Sequence, residues 1–127
     1  MAILILAGRV TKDPAFLRNG DALEPMAYEL CQDIEMTPVR FEMERYAHWP
    51  NGAPSCILWI EESKITIDCY PEESYVEFLL HSCKSIPDPE WIREKITTKL
   101  GLLETAYHLL PDFNWRELAK EVKHATN

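Results

Sequence analysis

The sequence predicts an α+β two-layer sandwich, an antiparallel β-sheet with helices on one face, formed as a single domain over residues 1–127. Three observations lead there. Apolar and polar residues alternate around residues 39–44 and 64–70, the period of half-buried strands, and residues 75–81 are rich in β-formers. Two other stretches, 23–34 and 89–100, repeat apolar residues every three or four positions, the spacing of a helix with one buried stripe. Finally, the order strand, helix, four strands, helix, strand suits helices gathered on one side of an antiparallel sheet. A chain of 127 residues is long enough to bury a core of its own.

Ala2-Ile3-Leu4-Ile5-Leu6-Ala7 reads as a largely buried first strand. Gly8 to Gly20, with Pro14 and Asn19-Gly20, reads as a loop that Phe16 and Leu17 pin to the body. Leu23, Met26, Ala27, Leu30, Cys31 and Ile34 then share one face at helical spacing. Two signals disagree about where this helix starts. Asp21 with Glu24 makes a capping box, whereas Pro25 prefers the first helical position.

After Thr37-Pro38, the residues Val39, Phe41 and Met43 alternate with Arg40, Glu42 and Glu44, giving a strand with one buried face. Tyr46 to Ser55 is a proline-containing loop, and His48 within it suits a hydrogen-bonding anchor better than a catalyst. Cys56-Ile57-Leu58-Trp59-Ile60 is a strand leading into the bend Glu61-Glu62-Ser63.

Next comes the stretch that carries the chemistry. Ile65, Ile67 and Cys69 fall on one face of a strand and Lys64, Thr66, Asp68 and Tyr70 on the other, until Pro71-Glu72-Glu73-Ser74 interrupts it. Tyr75-Val76-Glu77-Phe78-Leu79-Leu80-His81 is rich in β-formers and ends at Ser82-Cys83, so the two runs make a hairpin. Asp88 is placed to cap a helix opened by Pro89; Ile92, Ile96 and Leu100 form its ridge, Trp91 flanks it, and Gly101 stops it. Leu102 to Leu110 reads as a further strand. Beyond Pro111-Asp112, the run Asn114-Trp115-Arg116-Glu117 opens a short C-terminal helix, an addition within 110–127.

Glu62, Ser63, Ile65, Ile67, Tyr70, Pro71, Glu72 and Cys83 fit the order Glu-Ser-His, apolar, any, apolar, His, Thr, aromatic, Pro, Glu, followed downstream by Thr-Cys-Gly. On these residues the chain resembles the short prokaryotic S-adenosylmethionine decarboxylases of polyamine and spermidine metabolism. The likeness extends upstream to His48–Ser55 and covers Ala2 to Leu100. It implies that the Ser63 hydroxyl attacks the carbonyl of Glu62 and that the resulting ester breaks by β-elimination, leaving a pyruvoyl group at the new terminus. That group's carbonyl would draw electrons from the substrate as carbon dioxide leaves, the part a pyridoxal cofactor plays elsewhere. Cys83 would then return a proton to carbon.

The same carry-over makes Glu62, Ser63, Asp68 and Cys83 the catalytic set and Tyr70, Glu72, Lys64 and Trp49 the substrate-binding set. Trp49, Trp59 and Tyr70 can stack on adenine or face a sulfonium, although core packing is the stronger reading for Trp59. Two positions depart from the pattern. Lys64 stands where the family has histidine after the serine, and Asp68 stands where a histidine assists the backbone rearrangement. A carboxylate with a pKa of about 4 is a far poorer base near neutrality than imidazole. Taken singly, a turn serine usually just bonds nearby backbone, and a buried cysteine is usually a small core residue. Only their joint order and spacing points to shared ancestry, and a fold outlives its chemistry.

A net charge of −8 speaks against nucleic acid and anionic membranes as partners and is compatible with a cationic ligand such as S-adenosylmethionine. Cys31, Cys56, Cys69 and Cys83 have no metal-site or redox spacing, so free thiols in a cytoplasmic protein are expected, with no metal. Met1 to Ala7 is too short for a signal peptide or a span. The family's short members are symmetric dimers whose sites draw on both subunits, so a homodimer, or a pairing with an active homologue, is the implied assembly. Three functions follow from this reading. One is a homologue that keeps the ligand pocket but is impaired in self-cleavage. Another is an active decarboxylase of S-adenosylmethionine or a basic amino acid, helped if burial raises Asp68. The third is a pyruvoyl-independent lyase acting on S-adenosylmethionine.

Overall fold

A computed structural model describes residues 1–46, 53–86, 88–110 and 120. The strands are β1 (Ala2–Val10), β2 (Pro38–Tyr46), β3 (Ala53–Ile60), β4 (Ser63–Tyr70), β5 (Tyr75–Ser82) and β6 (Leu102–Leu110), and the helices are α1 (Ala15–Arg18), α2 (Gly20–Asp33) and α3 (Pro89–Leu100). The strands form one six-stranded sheet in the order β2-β3-β4-β5-β1-β6, and every neighbouring pair is antiparallel. The sheet is therefore a run of hairpins from β2 to β5, closed by the first and last strands.

Alternation sorts the side chains between the two faces. Leu4, Leu6, Cys56, Leu58, Ile65, Ile67, Val76, Phe78 and Leu80 are buried and meet Leu23, Ala27, Leu30 and Cys31 of α2 and Ile92, Ile96 and Leu100 of α3 in a single cluster. Each of the leucines, isoleucines, valine and phenylalanine among them contributes roughly 1.5–3 kcal/mol when fully buried, so this one face is where the fold is held. On the other face, Ile3, Lys64, Thr66, Asp68, Tyr70, Glu77, Leu79 and His81 are partly exposed. This is the α+β sandwich that the patterning predicts.

The capping chemistry of α3 also follows the sequence reading. The Asp88 carboxylate accepts from Trp91 N–H at 3.1 Å, and Gly101 takes φ +70°, a left-handed cap that glycine adopts without a Cβ penalty. Lys99 then ties this helix to α2 through Glu29 at 2.6 Å.

Five readings change. The loop expected from Gly8 to Gly20 is instead strand as far as Val10, with α1 inserted before α2. Gly8 belongs in a strand because a Cβ there would strike the Glu104 carbonyl of β6. Neither predicted start of α2 holds: Asn19 caps it, its side chain accepting from Asp21 N–H at 3.0 Å, and Pro25 lies inside the helix. Val39 is 62 % exposed because it is the extra residue of a bulge between Pro38 and Arg40 on the edge strand, leaving Phe41 and Met43 to make the half-buried contacts. Trp59 is not a core residue but sits half-buried on the second face. Finally, the core-residue alternative weighed against a catalytic cysteine does not apply to Cys83, which is exposed. The C-terminal helix expected after Pro111, and the segment carrying His48 and Trp49, lie outside the described residues apart from Lys120.

Candidate active site

The β3–β4 connection is a two-residue turn, Glu61-Glu62, closed by the pair Ile60 and Ser63. Ser63 opens β4 with φ +152°, a backbone region that residues with a Cβ seldom adopt and that costs of order 1–3 kcal/mol where the surroundings enforce it. The surroundings here are β5 and the segment after α2. Ser63 pairs with Ser82 at the end of β5, and the next residue, Cys83, donates its backbone N–H to the Glu62 carbonyl at 2.6 Å. Glu62 Oε1 accepts from Thr37 N–H at 3.1 Å, while Glu61 N–H donates to the Thr37 carbonyl at 2.9 Å.

Three of the four candidate catalytic residues are thereby brought together in one chain. The arrangement has a chemical meaning. A nucleophile adding to the Glu62 carbonyl would place negative charge on the oxygen that Cys83 N–H already holds. The adjacent Ser63 hydroxyl is the group placed by covalent connectivity to make that attack. Ser82 is 1 % exposed, and its hydroxyl accepts from Lys84 N–H at 3.2 Å, which shapes the turn that carries Cys83. Glu62 and Ser82 line a cavity of about 340 Å³ whose apolar walls are Ile34, Met36, Trp91 and Ile92.

Asp68 does not join this group. It lies five positions along β4 on the second face, so a span of roughly 16 Å separates it from Ser63 at the rise of an extended strand. Register sets its neighbours, Ser55 on β3 and Glu77 on β5, and the Ser55 hydroxyl donates to Asp68 Oδ1. Asp68 is partly buried on this face. Tyr70 and Tyr75 both donate to Glu77, at 3.5 and 3.3 Å, and their rings lie 5.4 Å apart. Desolvation, then the charge of Glu77, pushes both phenols up from their ordinary value.

The remaining candidates are dispersed. Lys64 pairs with His81 on the second face, its Nζ 6.0 Å from the Trp59 ring centroid. Glu72 lies in the 3-10 turn Pro71–Glu73 and is 3.6 Å from Arg18, which also donates to the Pro71 carbonyl at 3.3 Å. That geometry anchors the β4–β5 connection to α1. Ser55, Glu77, Ser82 and Thr37 were not singled out from the sequence. The first three were accessible to it in principle, because a two-residue turn after Ile60 sets Ser55 opposite Asp68, and the next hairpin sets Glu77 opposite Asp68 and Ser82 opposite Ser63. Thr37 carries no such signal, since it acts through its backbone.

A profile of the S-adenosylmethionine decarboxylase family matches residues 5–111, a span that includes the bend, Asp68 and Cys83. The chain belongs to the S-adenosylmethionine decarboxylase family. Among solved structures it is similar to the crystal structure of the adenosylmethionine decarboxylase from Aquifex aeolicus VF5, with a TM-score of 0.70 and 13 % identity over 87 % of this chain and 88 % of that one. At that identity the likeness is one of fold. A search of curated proteins finds no match. Among the described residues of this family member, no cluster of three or more His, Cys, Asp or Glu could hold a metal ion. No helix there is long and apolar enough to cross a membrane.

Proposed function

We propose that this family member binds S-adenosylmethionine or a close sulfonium relative and cleaves itself at Glu62–Ser63 poorly or not at all, acting in polyamine metabolism as a binding or regulatory homologue. One observation carries the reading. The scissile carbonyl, the strained Ser63 and the Cys83 N–H are assembled, while the assisting position holds a carboxylate on a different face, in a hydrogen bond with Ser55. The machinery for polarising the bond is kept, and the base that would take the serine proton is not.

The pyruvoyl group would come from Ser63, and the bend fits its formation. When present, that group supplies a carbonyl that condenses with an amine and accepts electrons as carbon dioxide departs. This chain's own contributions are separate. Cys83 N–H holds charge on the Glu62 oxygen, and the Cys83 thiol, being exposed beside the bend, is placed to deliver a proton to substrate. Tyr70 and Tyr75 offer a tilted pair of rings, and Asp68 and Glu77 offer negative charge to a sulfonium or ammonium.

Asp68 and Ser55 sit too far from their own Ser63 to act on it, so any part they take is in trans, from a second copy facing this sheet. A homodimer is accordingly the proposed assembly, with an active homologue as the alternative partner and the cytoplasm as the compartment. Binding is tested by thermal shift: S-adenosylmethionine raises the melting temperature, and Tyr70→Ala with Glu77→Gln abolishes the rise. An unchanged melting temperature at millimolar ligand contradicts the reading.

The strain at Ser63 and the polarised carbonyl favour a second reading, an active decarboxylase that matures slowly. Release of labelled carbon dioxide from S-adenosylmethionine after long incubation, absent in Ser63→Ala, supports it. Product formation by Ser63→Ala would instead indicate a lyase that needs no pyruvoyl group.

A further inference from the structure

The geometry points to a positioning task for the Glu62 side chain: its carboxylate is the latch that sets the bend, and it takes no proton in the chemistry. The inference rests on Glu62–Ser63 being the self-cleavage pair. Two hydrogen bonds close a ring between the bend and the segment after α2, Glu61 N–H to the Thr37 carbonyl at 2.9 Å and Thr37 N–H to Glu62 Oε1 at 3.1 Å. A third, Cys83 N–H to the Glu62 carbonyl at 2.6 Å, fixes the main chain of the same residue. Glu62 is thus gripped at both ends, by Cys83 just past β5 through its carbonyl and by Thr37 in the segment after α2 through its side chain.

Thr37 is itself well anchored. Met36 N–H donates to the Cys31 carbonyl at 3.0 Å, and the Cys31 thiol donates to the Met36 carbonyl at 3.2 Å, so the segment is tied to the last turn of a helix whose apolar stripe is fully buried. Packing does not hold the Glu62 stem in the same way, because on one side it borders the cavity of about 340 Å³. The bond to Thr37 is what selects its position. Release of that bond frees the 62–63 peptide to turn, letting Ser63 leave φ +152° and the carbonyl leave Cys83 N–H.

The test compares Glu62→Gln, which keeps an acceptor oxygen, with Glu62→Met, which keeps the stem and loses it. Amide hydrogen exchange at Thr37 should quicken roughly ten- to hundredfold in Glu62→Met, the range for losing a hydrogen bond to a charged group, and change little in Glu62→Gln. Exchange equal to wild type in Glu62→Met overturns the latch. Should Glu62→Met fail to fold, a scalar coupling across the hydrogen bond between the Thr37 amide nitrogen and Glu62 Cδ decides it in the wild-type chain; its absence overturns the proposal. In any background that cleaves, Glu62→Gln should cleave faster than Glu62→Met; equal loss in both makes the carboxylate a proton carrier and also overturns the latch. Should Asp68→His split the chain at a bond other than Glu62–Ser63 while the exchange effect persists, the latch stands and the self-cleavage pair is lost, so the two failures are distinguishable.

Discussion

Asp68 is the residue on which the proposed loss of self-cleavage turns. Its neighbours across the sheet are Ser55 and Glu77, and the Ser55 hydroxyl bonds its carboxylate. Replacing it with histidine restores the residue type that the family pattern carries there, in the same row of the sheet and next to the same serine. General base assistance is worth typically about 10²–10⁴-fold, so Asp68→His should convert a chain that stays whole into one that splits between Glu62 and Ser63, at least roughly a hundredfold faster. Gel electrophoresis over days reads this directly. If Asp68→His remains as uncleaved as wild type while folding normally, the missing imidazole is not what stalls the reaction.

At the scale of elements, helix α3 offers a clean check because its start and stop depend on single residues. Asp88→Ala removes the acceptor for Trp91 N–H and should cost about 1 kcal/mol of stability. A urea titration with an unchanged midpoint would mean that the cap is replaced by solvent. This helix, β4 and β5 were legible in the sequence to within a residue or so, because capping chemistry and alternation are both local. The start of α2 was less so: the capping box of Asp21 with Glu24 and the proline Pro25 advertised two different boundaries, and Asn19, two residues before Asp21, won because its side chain reached the Asp21 N–H. Gly8 and Val39 misled for a different reason. Their conformations answer to β6 and to the edge bulge, contacts made by residues far away in the chain. The site divides the same way. Glu62, Ser63 and Cys83 stood out through their order along the chain, whereas Thr37, which acts through its backbone, emerges only in the folded chain.

For the molecule as a whole, the core contains chemistry that titrates. Burial pushes the thiols of Cys56 and Cys69 up from 9.0 to about 12, and that of Cys31 to about 11. A folded-state pKa raised in this way means that the folded chain holds the proton where the unfolded chain releases it. The contribution is fully present below the ordinary thiol value near 9.0 and is lost as pH climbs toward about 12. The urea midpoint should therefore fall between pH 9 and 11, and a midpoint that stays level or rises would contradict the burial of these thiols.

The proposed function turns on the bend Glu61-Glu62-Ser63, where the Glu62 carbonyl meets the Cys83 N–H while Asp68 stands where the family pattern has histidine. An intact-mass measurement on freshly purified and aged protein, with Ser63→Ala alongside, addresses it most directly. The expected result is one full-length mass in every sample, indistinguishable from the control apart from the substitution. A wild-type chain found mainly as two fragments divided between Glu62 and Ser63, the second beginning with a keto group in place of serine, would contradict it.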